Sequence, residues 1–286
     1  MVPSFPTMKR LLAAVGILAI VAYVGAIAWL VSQETTIIFQ AVTALGDRRP
    51  ALPYEQIDEP QVEGSPQPQT RAWLLPSAKP AEPATWVIFL HGNGANIASR
   101  MNIVHYERLR ELGLHVMAPE YRGFGGVPGL PTEAGLAEDA RRAYDRLRRD
   151  KKADPRRIVI YGWSLGSAVA VALASQVEEA AVILEGAPAS IVAIGQRRYP
   201  YFPIKLLIRN PFESISRIDK VGSPLLFLHS PEDAVIPIEE GRRLFAAAPQ
   251  PKQFVEVSGG HVYASEKDPQ FFRAVRAFLQ AHRLLP

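Results

Sequence analysis

The sequence predicts an α/β domain with a mostly parallel, doubly wound sheet, preceded by one transmembrane helix. Three observations support this fold class: an uncharged N-terminal stretch, a proline-rich segment after it, and short apolar runs that alternate with helical patterns from residue 85 onward. Hydrophobic types make up 48% of the 286 residues and charged types 21%, which excludes disorder over most of the chain. A chain of this length and composition can bury a large core.

The N-terminal stretch, residues 11–31, contains 21 residues without a charge, an amide or a proline. As a helix it would be about 32 Å long, which is enough to cross a bilayer. We predict an uncleaved anchor; a cleaved signal and a buried core helix are the alternatives. Lys9 and Arg10 precede the stretch and the next basic residue is Arg48, so the positive-inside rule places residues 1–10 in the cytoplasm. The rest of this single-pass protein is predicted to be periplasmic or extracellular.

Residues 32–84 form a proline-rich segment, with eight prolines between Pro50 and Pro83. Because proline cannot donate to a sheet ladder, we expect only short or edge strands there, such as Arg71–Leu75. The segment is predicted to be a tether that becomes the antiparallel edge of the domain. Residues 85–286 are predicted to form the α/β domain, with a short cap at about residues 186–223.

The apolar runs of this domain are four or five residues long and lack polar alternation, which is typical of strands covered on both faces. They are Trp86–Leu90, His115–Ala118, Ile158–Tyr161, Ala181–Leu184, Leu225–Leu228 and Phe254–Val257. The helical stretches are Ile97–Leu112, Glu133–Arg149, Ser167–Val177, Glu239–Ala247 and Gln270–Leu284. Strands that alternate with helices imply right-handed crossovers and a parallel sheet.

The segment Gly162-Trp163-Ser164-Leu165-Gly166 fits the pattern G-x-S-x-G. It follows a predicted strand and opens a predicted helix, the setting in which a sharp turn presents a nucleophilic serine. Gly162 and Gly166 are expected because such a turn leaves no room for side chains. The alternative is an ordinary turn in which Ser164 only caps the helix.

A serine nucleophile needs a base, and the base needs an orienting acid. His261 follows the last predicted strand, and Asp233 follows the one before it, so both lie at carboxyl ends of strands, where open α/β sheets bind ligands. Glu185 and Glu232 are alternative acids. A loop histidine bonded only to backbone is the alternative for His261.

His91-Gly92-Asn93-Gly94 follows the first strand of the α/β domain. In this setting a backbone N–H of the loop and that of the residue after the serine form an oxyanion hole, which nominates Asn93 and Leu165. Gly92 would allow the loop to approach the serine. The alternative is a plain glycine turn.

With these motifs in this order, the chain resembles the α/β-hydrolase superfamily, in particular membrane-anchored α/β-hydrolase-domain proteins and serine aminopeptidase-like hydrolases. The similarity runs from about residue 51 to residue 286, and its main stretches are residues 89–100, 119–147, 161–174, 229–237 and 259–265. The resemblance implies a serine hydrolase with Ser164, Asp233 and His261 as its triad. The chain departs from the family pattern at Ser167, where a glycine is frequent, and at Ser230-Pro231.

The function predicted is hydrolysis of carboxylic esters or thioesters, including those of acyl lipids, through an acyl-enzyme intermediate. A peptidase that removes N-terminal residues is one alternative, and it would need an anionic group for the substrate amine. A non-catalytic scaffold with the same fold is the other. The cap combines aromatic, apolar and basic residues, which favours either a single short helix on the core or a surface that faces the bilayer.

Several partner and cofactor classes are not expected. The absence of cysteine excludes disulfides, a CxxC zinc site and a thiol nucleophile. No histidine or carboxylate cluster has the spacing of metal ligands, so neither a metal nor an organic cofactor is predicted. Lys9 and Arg10 supply two of the net +4 charges, and the remainder is nearly balanced, so nucleic acid is not an expected partner.

Overall fold

The structure, a computed structural model, describes residues 5–60, 68–79 and 82–286. Its helices are α1 (Phe5–Ser32), α2 (Glu34–Phe39), α3 (Arg100–Glu111), α4 (Glu133–Asp150), α5 (Leu165–Ala174), α6 (Ile191–Arg198), α7 (Ile204–Leu207), α8 (Ile238–Ala247), α9 (Gly260–Lys267) and α10 (Pro269–Ala281). Its strands are β1 (Glu55–Pro60), β2 (Pro68–Leu75), β3 (Trp86–Leu90), β4 (His115–Glu120), β5 (Ile158–Trp163), β6 (Ala181–Glu185), β7 (Leu225–His229) and β8 (Lys252–Glu256).

All eight strands form one sheet in the order β1-β2-β4-β3-β5-β6-β7-β8. The first two strands are antiparallel to their neighbours, and the strands from β3 to β8 are parallel to one another. Helical crossovers therefore return the chain to the same edge each time, and the carboxyl ends of the parallel strands meet there. This architecture confirms the predicted α/β-hydrolase fold.

Helices cover both faces of the sheet, which explains why the strands are apolar throughout. On one face, α4, α5 and α8 pack on Ile88, Ile160 and Leu184. On the other, α3, α9 and α10 pack on Phe89 and Ile183. Alternate residues of each strand thus enter separate cores, as the two-residue period of a strand requires.

Helix α1 is apolar on every side and does not join either core over most of its length. Residues 8–25 are all exposed, although Tyr23 contacts Tyr201 and Phe202, and burial begins at residue 26. The segment Met8–Ser32 is long and apolar enough to cross a membrane, a criterion that a signal sequence near the N-terminus also meets.

The structure differs from the sequence prediction in several elements. Strand β2 is not an edge strand, because it pairs with both β1 and β4, and its proline lies at its first residue, where no internal ladder bond is lost. Strand β8 begins two residues before the predicted run. The region 186–223 contains two short helices, α6 and α7, instead of one. Helix α2 lies in the predicted tether and was not expected.

Candidate active site

Ser164 lies between the end of β5 and the start of α5, with backbone φ 55° and ψ −121°. Residues other than glycine rarely adopt such a φ, and here it turns the strand sharply into the helix. A Cβ added to Gly162 would overlap the backbone of Gly166, and one added to Gly166 would overlap the carbonyl of Leu90. Both glycines therefore let the strand, the turn and β3 pack at backbone distance.

Asp233 lies in the loop after β7, and His261 lies in the first turn of α9, after β8. The His261 Nε2 atom is 2.8 Å from Ser164 Oγ, and its Nδ1 atom is 2.7 Å from Asp233 Oδ2. Asp233 Oδ1 accepts the backbone N–H groups of Val235 and Ile236 at 2.9 and 2.8 Å. The carboxylate is thus fixed on both sides, and the three side chains form a continuous hydrogen-bonded chain.

The two alternative acids lie elsewhere. Glu185 Oε2 accepts the Tyr161 hydroxyl at 2.7 Å and lies 2.8 Å from His105 Nε2. Burial lowers the pKa of His105, but the charge of Glu185 and the hydrogen bond to it raise the pKa more, so that it exceeds the ordinary value. Glu232 accepts the backbone N–H of Gly259 at 3.1 Å. Of the three candidate acids, Asp233 is the one that lies within hydrogen-bonding distance of His261.

Asn93 and Leu165 both line the cleft beside Ser164. Neither backbone N–H has a hydrogen-bond partner in the parts of the chain that the structure describes. Gly92 is in close contact with the serine, because a Cβ added there would lie 3.1 Å from Ser164 Cβ. Two backbone amides without a partner in the described chain therefore belong to residues that line the cleft together with Ser164.

A buried pair, His91 and Glu120, stabilises the loop that carries Asn93. His91 is fully buried, and its Nε2 atom lies 2.8 Å from Glu120 Oε1. Glu120 Oε2 accepts the backbone N–H of Ile97 at 3.0 Å. Glu120 lies in residues 119–147, one of the stretches that carry the family resemblance, but the sequence alone assigns it no role.

Sequence reasoning missed the part that the N-terminal segment plays in the site. The carboxylate of Glu34 accepts four hydrogen bonds of 2.8 to 2.9 Å, two from Arg209 and two from Asn210. Burial alone would raise the pKa of Glu34, but these bonds lower it below the ordinary value. Asn93 Nδ2 also donates to the Ile38 carbonyl at 3.0 Å. A lone acid just after the apolar stretch, followed by Ile37-Ile38-Phe39, was the available signal.

The cleft that contains Ser164 has a volume of about 1090 Å³. Most of its side chains are apolar and come from α2, the cap helices and the loop after β7; they include Ile37, Ile38, Ile191, Ile204, Leu207 and Ile236. Leu30 and Val31, in the last turn of α1, also line it. The cleft thus extends from the serine to the end of the apolar N-terminal helix.

Gly186, which directly follows β6, was also missed. Its φ is 54°, and a Cβ there would lie 3.4 Å from the His261 ring and 3.5 Å from Asp233 Oδ2. A side chain at this position would press on the histidine.

Within residues 5–60, 68–79 and 82–286, no group of three His, Asp or Glu side chains could hold a metal ion.

Comparisons with known proteins agree with this architecture. A family model described as "Alpha/beta hydrolase family" matches residues 87–214. The Mycobacterium tuberculosis protein Rv2307c is 35% identical over 279 residues, which cover 94% of this chain and 95% of that protein. The "Alpha/beta hydrolase domain-containing protein WAV2" of Arabidopsis thaliana is 30% identical over 275 residues, which cover 84% of this chain and 88% of that protein.

Among solved structures, the esterase Pf2001 of Pyrococcus furiosus has the same fold, with a TM-score of 0.68 and 18% identity. The match covers 86% of this chain and 98% of that chain. On the strength of the sequence relatives and the shared architecture, the chain belongs to the alpha/beta hydrolase family.

Proposed function

We propose that the protein is a membrane-anchored serine hydrolase that cleaves carboxylic esters or thioesters of acyl lipids. The observation that carries the proposal is the hydrogen-bonded chain from Ser164 through His261 to Asp233 at the floor of an apolar cleft. Such a chain activates a serine hydroxyl, which is otherwise a weak nucleophile near neutral pH.

The reaction follows from what each group can donate or accept. Ser164 Oγ attacks the acyl carbon while His261 Nε2 takes the hydroxyl proton, and Asp233 stabilises the imidazolium that forms. The amides of Asn93 and Leu165 donate to the oxyanion, and each such donor contributes about 3 kcal/mol to transition-state stabilisation. His261 then protonates the leaving alcohol or thiol. Water, deprotonated by His261, hydrolyses the acyl-Ser164 ester and restores the enzyme.

The walls of the cleft support a long acyl chain as the group recognised. An acyl chain bound between Ile38, Ile204 and Ile236 would be removed from water. Each buried methylene would contribute about 0.8 kcal/mol to the binding free energy. The end of α1 lines the far part of the cleft, so an acyl chain that enters there could come from the bilayer.

We propose residues 11–31 as a retained anchor and residues 85–286 as the catalytic domain, on the non-cytoplasmic side. Removal of α1 would delete Leu30 and Val31, which line the cleft, and Tyr23, whose ring stacks on Phe202. This packing favours a retained helix over a cleaved signal.

The peptidase alternative lacks support from the two carboxylates that suggested it. Glu185 and Glu232 do not line the cleft. Of the glutamates that do, Glu34 already accepts four hydrogen bonds and Glu240 is paired with Arg243, so Glu239 is the remaining candidate anion for a substrate amine. The scaffold alternative predicts an inert serine, and the test below separates it from the hydrolase.

The test is covalent labelling of the full-length, detergent-solubilised protein with a fluorophosphonate probe. We expect the wild type to label and Ser164→Ala and His261→Ala to remain unlabelled, with melting temperatures close to that of the wild type. Ser175→Ala, a change at the other end of α5, is the matched control and should label normally. A folded wild type that does not label would overturn the hydrolase in favour of the scaffold.

A further inference from the structure

Two strongly exposed apolar side chains lie on the cap, next to residues that line the cleft. Outside α1, the most exposed large apolar residues of the described chain are Tyr201 at 85%, Leu206 at 83% and Leu130 at 78%. Tyr201 and Leu206 belong to the cap, here residues 191–209. Leu130 precedes Glu133, whose N–H donates to Asn210 just after the cap. Clustered exposed apolar side chains mark a surface that binds something apolar.

The contacts between the cap and α1 indicate what that surface meets. The Tyr23 ring of α1 stacks on Phe202, with centroids 5.6 Å apart and planes at 9°, and its hydroxyl donates to the Tyr201 carbonyl at 2.8 Å. Tyr23 lies eight residues before Val31, or about 12 Å along the helix axis. If residues 11–31 cross a bilayer, the tip of the cap lies at the depth of the acyl chains beneath the headgroups.

The charges of the cap fit an anionic lipid surface. Between residues 191 and 209 there are four basic residues and no acidic one. Arg209 pairs with Glu34, whereas Arg197, Arg198 and Lys205 are exposed and form no ion pair with any residue that the structure describes. Basic side chains that flank inserted aromatic and aliphatic ones are typical of helices bound at a membrane interface.

The same cap forms a wall of the cleft. Ile194, Ile204 and Leu207 line the cleft, while Tyr201 and Leu206, on the same short segment, point away from it into the surroundings. Arg197 and Arg198, which are exposed, also line the cleft, so the cap contacts both the substrate and whatever surrounds the anchor.

We propose that the cap inserts into the interface of an anionic bilayer, with Tyr201 and Leu206 among the acyl chains and Arg197, Arg198 and Lys205 at the phosphates. The mouth of the cleft then opens into the lipid, and substrate enters without passing through water. This inference rests on the retained anchor proposed above.

The absence of cysteine makes a direct test possible in the full-length protein. Tyr201→Cys and Leu206→Cys are labelled with the solvent-sensitive fluorophore NBD and reconstituted into vesicles of phosphatidylcholine with about 30% phosphatidylglycerol. Gly222→Cys is the control, because Gly222 is exposed at the amino end of β7, away from the cleft, and a side chain there meets nothing within 4 Å.

We expect the labels at 201 and 206 to emit at shorter wavelength and to be quenched by lipids with a nitroxide on the acyl chain. The label at 222 should be quenched by aqueous iodide instead. Labels at 201 and 206 that iodide quenches as strongly as the one at 222 would overturn the insertion. Nitroxide quenching at 206 should be about twofold stronger with phosphatidylglycerol than in phosphatidylcholine alone; equal quenching in both would overturn the anionic preference.

A kinetic variant tests the same surface independently. Leu206→Glu should lower turnover of a long-chain ester embedded in vesicles by about tenfold, because a charge is costly in the acyl region, while hydrolysis of a soluble short-chain ester stays unchanged. Equal rates of the wild type and Leu206→Glu on the embedded ester would contradict the proposal. The fluorescence measurement does not require turnover. A protein that inserts into vesicles but does not react with the fluorophosphonate probe would therefore refute the proposed hydrolase and still support membrane insertion of the cap.

Discussion

Among the carboxylate–histidine pairs near the turn that carries Ser164, Asp233–His261 and Glu185–His105 differ in what the second ring nitrogen meets. In the pair Asp233–His261, Nε2 faces the Ser164 hydroxyl at 2.8 Å. In the pair Glu185–His105, the second nitrogen, Nδ1, faces the Met101 carbonyl at 2.7 Å. A hydroxyl can give up a proton, whereas a carbonyl can only accept a hydrogen bond.

This difference determines what each histidine can do. His105 lies between two acceptors, so it donates from both nitrogens and is stabilised as a cation, in agreement with its raised pKa. His261 lies between an acceptor and a hydroxyl, which leaves a lone pair on Nε2 for the serine proton. A carboxylate–histidine pair therefore indicates a general base only when its free nitrogen meets an acidic hydrogen.

The largest effect that tests this contrast is loss of turnover in Asp233→Asn. The amide can hold His261 in the tautomer that presents N–H to the serine, and this removes the base. We expect kcat to fall by about 10⁴-fold with little change in the melting temperature. The measurement is kcat and KM on a soluble short-chain p-nitrophenyl ester. A decrease of less than tenfold would remove Asp233 from the proposed triad.

The matching change in the other pair is Glu185→Gln. It leaves His105 without its counter-ion in a closed site, and breaking a buried ion pair costs about 3 kcal/mol of unfolding free energy. The backbone carbonyl of Glu185, which accepts the Ser164 N–H at 2.8 Å, is kept, so turnover should stay within about tenfold of the wild type. Urea unfolding and the same ester assay measure both quantities. Unchanged stability together with abolished turnover would reverse the roles that we assign.

The third prediction concerns the pH dependence of stability. In the folded protein the pKa of His105 is raised above the unfolded value of about 6.5. The ion pair therefore contributes fully to the free energy of unfolding below pH 6.5. This contribution is lost as the pH rises through the pKa that His105 has in the folded protein. We expect His105→Gln to destabilise the protein more at pH 6 than at pH 9, as measured by urea unfolding. An equal penalty at both pH values would mean that His105 is not charged.

The sequence predicted the parallel strands and the serine turn because both depend on local signals. Uniformly apolar runs mark strands covered on both faces, and the strained turn needs glycines at fixed positions around Ser164. The choice among Asp233, Glu185 and Glu232 was harder, since all three lie at or after strand ends. Glu185 is the last residue of β6, and strand alternation directs its side chain towards α3, where His105 lies, a fact that periodicity alone could have suggested.

Other parts of the site depend on contacts between distant segments. The position of α2 over the cleft is fixed by Arg209 and Asn210, about 175 residues away in sequence, and no pattern in a six-residue helix encodes those partners. The sequence did not predict helix α9, because Gly259 precedes the helix and Gly260 is its first residue. Two consecutive glycines favour a loop over a helix. Its first turn nevertheless holds His261.

The smallest expected effect concerns Glu179, a buried carboxylate that, unlike Asp233 and Glu185, has no histidine partner in the described chain. Glu179 Oε1 accepts the Ser223 hydroxyl at 2.7 Å, while Oε2 has no partner and no ion pair to Glu179 forms within the described chain. Burial raises the pKa of Glu179 from 4.5 to about 7. The unfolded chain ionises first, so the folded state loses stability as the pH rises from 4.5 to 7.

Glu179→Gln removes the charge and keeps the shape, so it should stabilise the protein by about 1 kcal/mol at pH 8 and leave it unchanged near pH 4.5. Urea unfolding of both proteins at the two pH values measures the difference. Equal stabilisation at both would trace the effect to packing instead of charge. The opposite signs expected for Glu179→Gln and Glu185→Gln then isolate what a buried histidine gives a carboxylate: a counter-ion that makes the charged form the stable one.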